Sequence, residues 1–428
     1  MKKVLFIAYN YPPGGGSGVQ RGAKFARYLP DYGWEPIILT PDYHLLKQAR
    51  DYSLARELPK NQIIYRSFTL DARWLFKLLW GLRLHKLVNW LNFHVFIPDP
   101  ELLWLPFAKA KLSKIMKLHK PDLVFISGPP FSPMLLGPWI KDKYAIPFVV
   151  SFRDDWSLGQ SRLDRIPPKR FTAKDRQLEQ LVLTKTNHVV ATNRAYKNDF
   201  LALYPELPEE HYTVITNGYD ETDFSPRKAP PRQDRKFMHI VYPGALYGRR
   251  NPANIWQALH ELVLSQEIDP SRIRIDIYGQ NYRSFVFSGI DASSQVNQIV
   301  QLHPYLPHHQ AIEALLQADL LLLFSGPGPK SDVVIPGKLF EYMRSGRPVL
   351  AVINPQGVCA EIFSQARSGL IADSASVSDI KDKLLQLYRQ WEAGKLQIEP
   401  DWDYIKQFER RQLTSRLASC FDEVLKQR

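Results

Sequence analysis

Short runs of branched and aromatic apolar residues, each followed by a stretch with helical spacing, recur along the chain. In the first half they cover residues 3–9, 35–41, 62–68, 122–128, 148–152, 188–193 and 212–218. Their apolar positions are continuous rather than alternating, as in a strand whose sheet is covered by helices on both faces. A second series covers 239–244, 273–279, 299–305, 320–325, 348–353 and 368–373. Between the series lies PRKAPPRQDRK, residues 226–236, Pro-rich, charged and nearly devoid of large apolar groups. It reads as an inter-domain linker. Two successive β/α series predict two doubly wound parallel sheets, with ligands beyond the carboxyl ends of the strands and a cleft between facing domains. The predicted domains are 1–225 and 237–401. The closing segment, 401–428, is helical in pattern, and periodicity alone does not assign it to either domain.

Length and composition fit this picture. The chain has 428 residues, 45% hydrophobic and 23% charged, enough for two or three ordinary domains. Only two cysteines occur, Cys359 and Cys420, which excludes a disulfide framework and leaves no metal-type spacing. A reducing, cytoplasmic setting is the expectation. The N-terminal MKKVLFIAYNYPP has too short an apolar core for a secretion signal and reads as a first strand. No apolar stretch reaches the roughly 18 residues that span a bilayer. The formal net charge of +13 points to anionic partners: nucleic acid, acidic lipid or phosphorylated ligands.

Four segments carry candidate chemistry. The first is YPPGGGSGVQR, residues 11–21, joining a strand to a helix that starts near Ser17. Glycine backbone approaches ligands closely, and a helix N-terminus offers unpaired N–H groups to a phosphate. The spacing is neither G-x-G-x-x-G nor a Walker loop, and the plainer reading is a turn that binds nothing. The second is IPGKLFEYMRSG, residues 335–346, with Pro336 placed as a first helical residue and Gly346 just past the end. Glu341 can accept two hydrogen bonds from a ribose diol, and Lys338 with the helix N–H groups can take a diphosphate. The plainer reading is an i,i+3 surface ion pair. The third is YPGALYGRRNP, residues 242–252, where Arg249 and Arg250 precede a helix and suit bidentate phosphate binding. A solvated pair of arginines is the alternative. The fourth is VSFRDDW, residues 150–156, at a strand's carboxyl end. Asp154 is the preferred functional carboxylate and Asp155 the second choice; the alternative is an Arg153–aspartate pair.

Taken in order, these segments resemble glycosyltransferase family 4 of the GT-B enzymes, and within it bacterial surface-polysaccharide transferases. The resemblance also runs through 127–133 (SGPPFSP), 216–220 (TNGYD), 303–308 (HPYLPH) and Ala318-Asp319. It implies two Rossmann-like domains facing a central cleft, with 402–428 crossing back onto the first. It implies a nucleotide-sugar donor on the second domain, with Glu341 on the ribose. Arg249 or Arg250 and Lys338 would hold the diphosphate, helped by Gly15, Gly16 and Gly18 across the cleft. The activity implied is retaining, metal-independent sugar transfer of hexosyltransferase type, with no cofactor beyond the donor itself. The chain departs from the family at three places. Val333 stands where many members carry the first of two glutamates, of which Glu341 would be the second. Arg153-Asp154 replaces a frequent histidine, and Ala245 replaces a frequent arginine.

Residues 71–120 mix apolar and basic groups densely. Trp74, Trp80 and Trp90 are interspersed with Arg73, Lys77, Arg83 and Lys86, and Lys109, Lys111, Lys114, Lys117 and Lys120 follow. That suits helices at an anionic membrane interface and a lipid-linked or glycan acceptor, on the inner face of the plasma membrane. An ordinary buried helix beside a solvated basic one is the alternative. A nucleotide-sugar epimerase or a non-catalytic nucleotide-sugar binder fits the same architecture. No nucleic-acid motif is present.

Overall fold

The computed structural model describes residues 1–46, 50–158, 167–224, 236–246, 248, 250–279, 283–287, 291 and 293–427. The expected linker, apart from Lys236, and Arg249 lie outside the described residues. The chain divides into two units: Met1–Asn217 with Arg410–Arg428, and Gly218–Glu409.

In the first unit, β1 (Lys2–Ala8), β2 (Trp34–Pro41), β3 (Ile63–Ser67), β4 (Leu123–Gly128), β5 (Phe148–Phe152), β6 (His188–Ala191) and β7 (Tyr212–Val214) form one sheet in the order β3-β2-β1-β4-β5-β6-β7. Every pairing is parallel, as in Val4 opposite Leu123 and Ile7 opposite Ile126. The continuous apolar runs have their predicted cause. Val4 to Ala8 are all buried, with helices packed over the sheet. The last strand is shorter than the run that predicts it. Past Val214 the carbonyls of Ile215 and Thr216 are taken by the Arg21 guanidinium instead of a neighbouring strand.

The helix Arg410–Lys426 belongs to this unit. Leu413, Leu417 and Phe421 enter the β1 core. The Phe421 ring lies 5.3 Å from both Trp34 and Phe125, and the Trp34 indole donates to Asp422 Oδ1 at 3.0 Å.

The second unit repeats the plan with β8 (Met238–Pro243), β9 (Ile273–Tyr278), β10 (Val300–His303), β11 (Leu320–Phe324), β12 (Val349–Ile353) and β13 (Gly369–Asp373), in the order β10-β9-β8-β11-β12-β13. All its pairings are parallel. One face buries Trp256 and Tyr388, from the helices Ala253–Leu264 and Val377–Glu392. The other buries Leu339, Phe340, Tyr342 and Met343 from the helix Lys338–Ser345. The segment 218–224, placed by sequence in the first domain, packs here, because Tyr219 and Phe224 share a core with Ile405 and Phe408 and Tyr219 N donates to Phe408 O. For the same reason 402–409 stays with the second unit. In each sheet the strand order reverses beside the first strand, between β1 and β4 and between β8 and β11. Open α/β sheets bind ligands beyond the carboxyl ends of the strands at such a point.

Candidate functional site

The carboxyl end of β8 in the second unit runs into Gly244, and the helix Lys338–Ser345 delivers Lys338 to the same spot. A Cβ on Gly244 would lie 1.6 Å from Lys338 Nζ, so only glycine leaves room for the ammonium. Nζ sits 3.8 Å from the centroid of the Tyr242 ring. It is shielded from solvent and has no hydrogen-bond partner among the described residues. Burial lowers the Lys338 pKa well below the ordinary lysine value, the nearby Arg250 charge lowers it further, and Glu341 acts in the opposite direction. Gly279, at the end of β9, closes the floor: its Cβ would meet the Gly244 carbonyl carbon at 2.8 Å. Lys338 and Arg250 thus bring together two basic groups with little negative charge to balance them, a combination suited to a phosphate group.

Helix Lys338–Ser345 begins two residues later than Pro336 suggests, although Leu339 N already bonds to Pro336 O. It ends as expected, with Gly346 in the left-handed region at φ 66°. Glu341 lies in its first turn, mostly covered. It is not the partner in a surface ion pair with Lys338, whose ammonium hydrogen-bonds to nothing among the described residues. Instead Glu341 Oε1 is 2.9 Å from His308 Nε2. Sequence reasoning gave His308 no role, since 33 residues separate the pair and no local periodicity links them. Val333, at the position of the family's first glutamate, is buried. Arg250 is half-buried.

In the first unit the loop after β1 leads into the helix Ser17–Tyr28. Gly16 caps it at φ 101° without any side-chain cap, and its carbonyl accepts from Val19 N and Gln20 N. Gly15 is half-buried and Gly16 exposed. Gly18 leaves room for Arg153, whose Nη1 would lie 1.7 Å from a Cβ there. Arg153 donates to the carbonyls of Gly128 and Pro129. The Asp154 charge also acts on Arg153 and favours its charged form. Burial lowers the pKa of Arg153, and that of Arg21 well below the usual arginine value, with Arg410 and Arg153 adding repulsion at Arg21. The charges of Arg21, Arg153 and Arg410 thus act on one another, a feature invisible in the sequence because Arg410 arrives from the far end of the chain. Asp154 is exposed at the end of β5, whereas Asp155 is buried. Trp156 is a core residue, donating to Asp175 Oδ1 at 2.7 Å and stacking on Phe131 at 5.0 Å.

Within residues 71–120 Trp104 is buried, but the three tryptophans singled out by the sequence are not. Trp74 and Trp80, on the helix Ala72–Gly81, are 54% and 57% exposed, and Trp90, on His85–His94, is 52% exposed. Leu78, Leu82, Leu84 and Leu87 are exposed beside them. Lys114, Lys117 and Lys120 are also exposed. Among the described residues no helix is long and apolar enough to cross a membrane.

Comparison with known proteins agrees with this geometry. The family model Glycosyltransferase Family 4 matches residues 17–223, and Glycosyl transferases group 1 matches residues 238–390. No curated protein gave a significant match. Among solved structures, a glycosyltransferase from Rickettsia africae ESF-5 is 15% identical with a TM-score of 0.65, covering 100% of this chain and 99% of its own. The sucrose-phosphate synthase of Thermosynechococcus elongatus is 10% identical with a TM-score of 0.68, covering 100% of both chains. A putative UDP-N-acetylglucosamine 2-epimerase from Listeria monocytogenes is 12% identical with a TM-score of 0.52, covering 99% of this chain and 97% of its own. At these identities the structural likeness speaks for the fold, and the family matches speak for the activity. With family 4 matched in the first half and group 1 in the second, on two parallel Rossmann-like sheets, the chain belongs to the GT-B glycosyltransferases.

Proposed function

We propose that this glycosyltransferase moves a hexose with retention, and without a metal ion, from a nucleotide-sugar to a lipid-linked or glycan acceptor in cell-surface polysaccharide or glycolipid synthesis. The observation that carries the donor side is the shielded Lys338 ammonium against Gly244, with Arg250 nearby and Glu341 one helical turn on. As the bond from the anomeric carbon to the diphosphate oxygen breaks, negative charge gathers on the departing diphosphate. Fixed cations stabilise that charge, the task a divalent ion performs elsewhere. The acceptor oxygen forms the new bond to the anomeric carbon and passes its proton to the Asp154 carboxylate, which returns it to solvent after the diphosphate has left. Glu341 holds the ribose, and Gly15, Gly16 and Gly18 with their helix N-terminus are a further phosphate contact. Asp154 is the carboxylate assigned to the reacting acceptor.

The low pKa of Lys338 gives a sign to the pH dependence. A bound diphosphate favours the charged ammonium, so binding draws a proton onto Lys338 wherever the free site is neutral. Donor affinity therefore falls as pH rises through the lowered pKa. The diester diphosphate of a nucleotide-sugar has no proton of its own to lose there. Isothermal titration over a series of pH values is expected to show this decline in the wild type and its absence in Lys338→Met. An identical decline in the variant removes Lys338 from the site.

A thermal-shift screen of nucleotide-sugars identifies the donor, because a ligand of the native state raises its melting temperature. With that donor, Glu341→Ala is expected to weaken binding about tenfold or more, since it deletes hydrogen bonds to a charged group. Asp154→Asn is expected to leave binding intact and reduce turnover by roughly 10²-fold or more. Full turnover by Asp154→Asn assigns the carboxylate role elsewhere.

The exposed Trp74, Trp80 and Trp90 support peripheral docking on an anionic leaflet. Co-sedimentation with vesicles containing acidic phospholipid is expected at low salt and is expected to weaken when the three tryptophans become serine. No binding at low salt rules the docking out.

A further inference from the structure

Resting on the assignment of Glu341 to the ribose, we propose that His308 is a positioning residue: it fixes the Glu341 carboxylate and so sets the donor site's preference for ribose over 2′-deoxyribose. A ribose diol is recognised by two carboxylate oxygens held at one angle. Glu341 alone is poorly suited to this, since a glutamate side chain has three rotatable bonds and loses much freedom when ordered. His308 supplies the restraint. It opens the helix His308–Gln317 directly after Pro307 and is itself buried. Ile312 and Leu315 of that helix share a core with Leu339, Phe340, Tyr342 and Met343 of the glutamate's helix. The backbones at both ends of the 2.9 Å Nε2–Oε1 contact are therefore anchored by packing.

The chemistry of the contact is directional. An ionised carboxylate only accepts, so His308 Nε2 carries the hydrogen and donates it. On the other edge of the ring, Asp223 Oδ2 stands 4.0 Å from Nδ1, beyond hydrogen-bond reach but close enough for its charge to act on the imidazole. A carboxylate has about four lone-pair directions, so the bond from His308 orients Glu341 without using up its capacity for two hydroxyls. A merely space-filling His308 would affect ribose and deoxyribose ligands alike. A positioning His308 affects the ribose ligand selectively.

Isothermal titration with UDP, ADP, GDP and their 2′-deoxy counterparts reads this out on the wild type and on His308→Ala, His308→Gln and Glu341→Gln. For the base that binds tightest, the wild type is expected to prefer the ribose form by about tenfold or more. His308→Ala is expected to reduce that preference to about threefold or less with little change for the deoxy form. His308→Gln, whose amide N–H reaches the same carboxylate, is expected to restore most of it. If the alanine variant does not fold, His308→Asn, with an amide too short to reach Glu341, is expected to show the same loss. A ribose preference that survives in His308→Ala or His308→Asn but vanishes in Glu341→Gln overturns the role of His308 and leaves Glu341's in place. Absence of binding, no ribose preference in the wild type, or a preference that persists in Glu341→Gln overturns the ribose assignment and this inference with it.

Discussion

A lysine ammonium buried without a hydrogen-bond partner among the described residues is the constraint on which the candidate site depends. Desolvating a charge is costly unless something compensates, and at Lys338 the compensation on hand is slight: the face of Tyr242, the more distant charge of Glu341, and against them the repulsion of Arg250. An anion removes the deficit. Neighbouring sequence choices serve this seat. A Cβ on Gly244 would fall on the space the ammonium occupies, and one on Gly279 would strike the Gly244–Ala245 peptide that follows β8. The same logic operates in the first unit, where Gly18 yields its space to Arg153, whose charge acts on Arg21 together with that of Arg410.

Much of the fold was legible in the sequence. Runs such as LLLLF at 320–324 and VLFIA at 4–8 have no polar face, so they specify strands covered on both sides, and their number and spacing specify two parallel sheets. Domain edges were less legible. Tyr219 and Phe224 look like the tail of the first series, and only their packing with Ile405 and Phe408 assigns them to the second unit. Just past the end of β7, Arg21, nearly 200 residues away in sequence, takes the carbonyls of Ile215 and Thr216.

The site was legible where its chemistry is local and hidden where it is tertiary. The Pro-Gly-Lys and Gly-rich segments announce themselves by composition and by their place after strands. The contact between Lys338 and Gly244, the His308–Glu341 bond and the burial of Asp155 beside an exposed Asp154 follow from packing between distant segments, which periodicity does not encode. Exposure of Trp74, Trp80 and Trp90 was equally undetermined, because an amphipathic helix reads alike whether protein or lipid covers its apolar face.

The most direct test of the account is a crystal structure of the protein with a nucleoside diphosphate bound. The account places phosphate oxygens about 3 Å from Lys338 Nζ, over Gly244, with the ribose hydroxyls on Glu341. A diphosphate bound elsewhere, with the Lys338 ammonium still unpartnered against Tyr242, would contradict it.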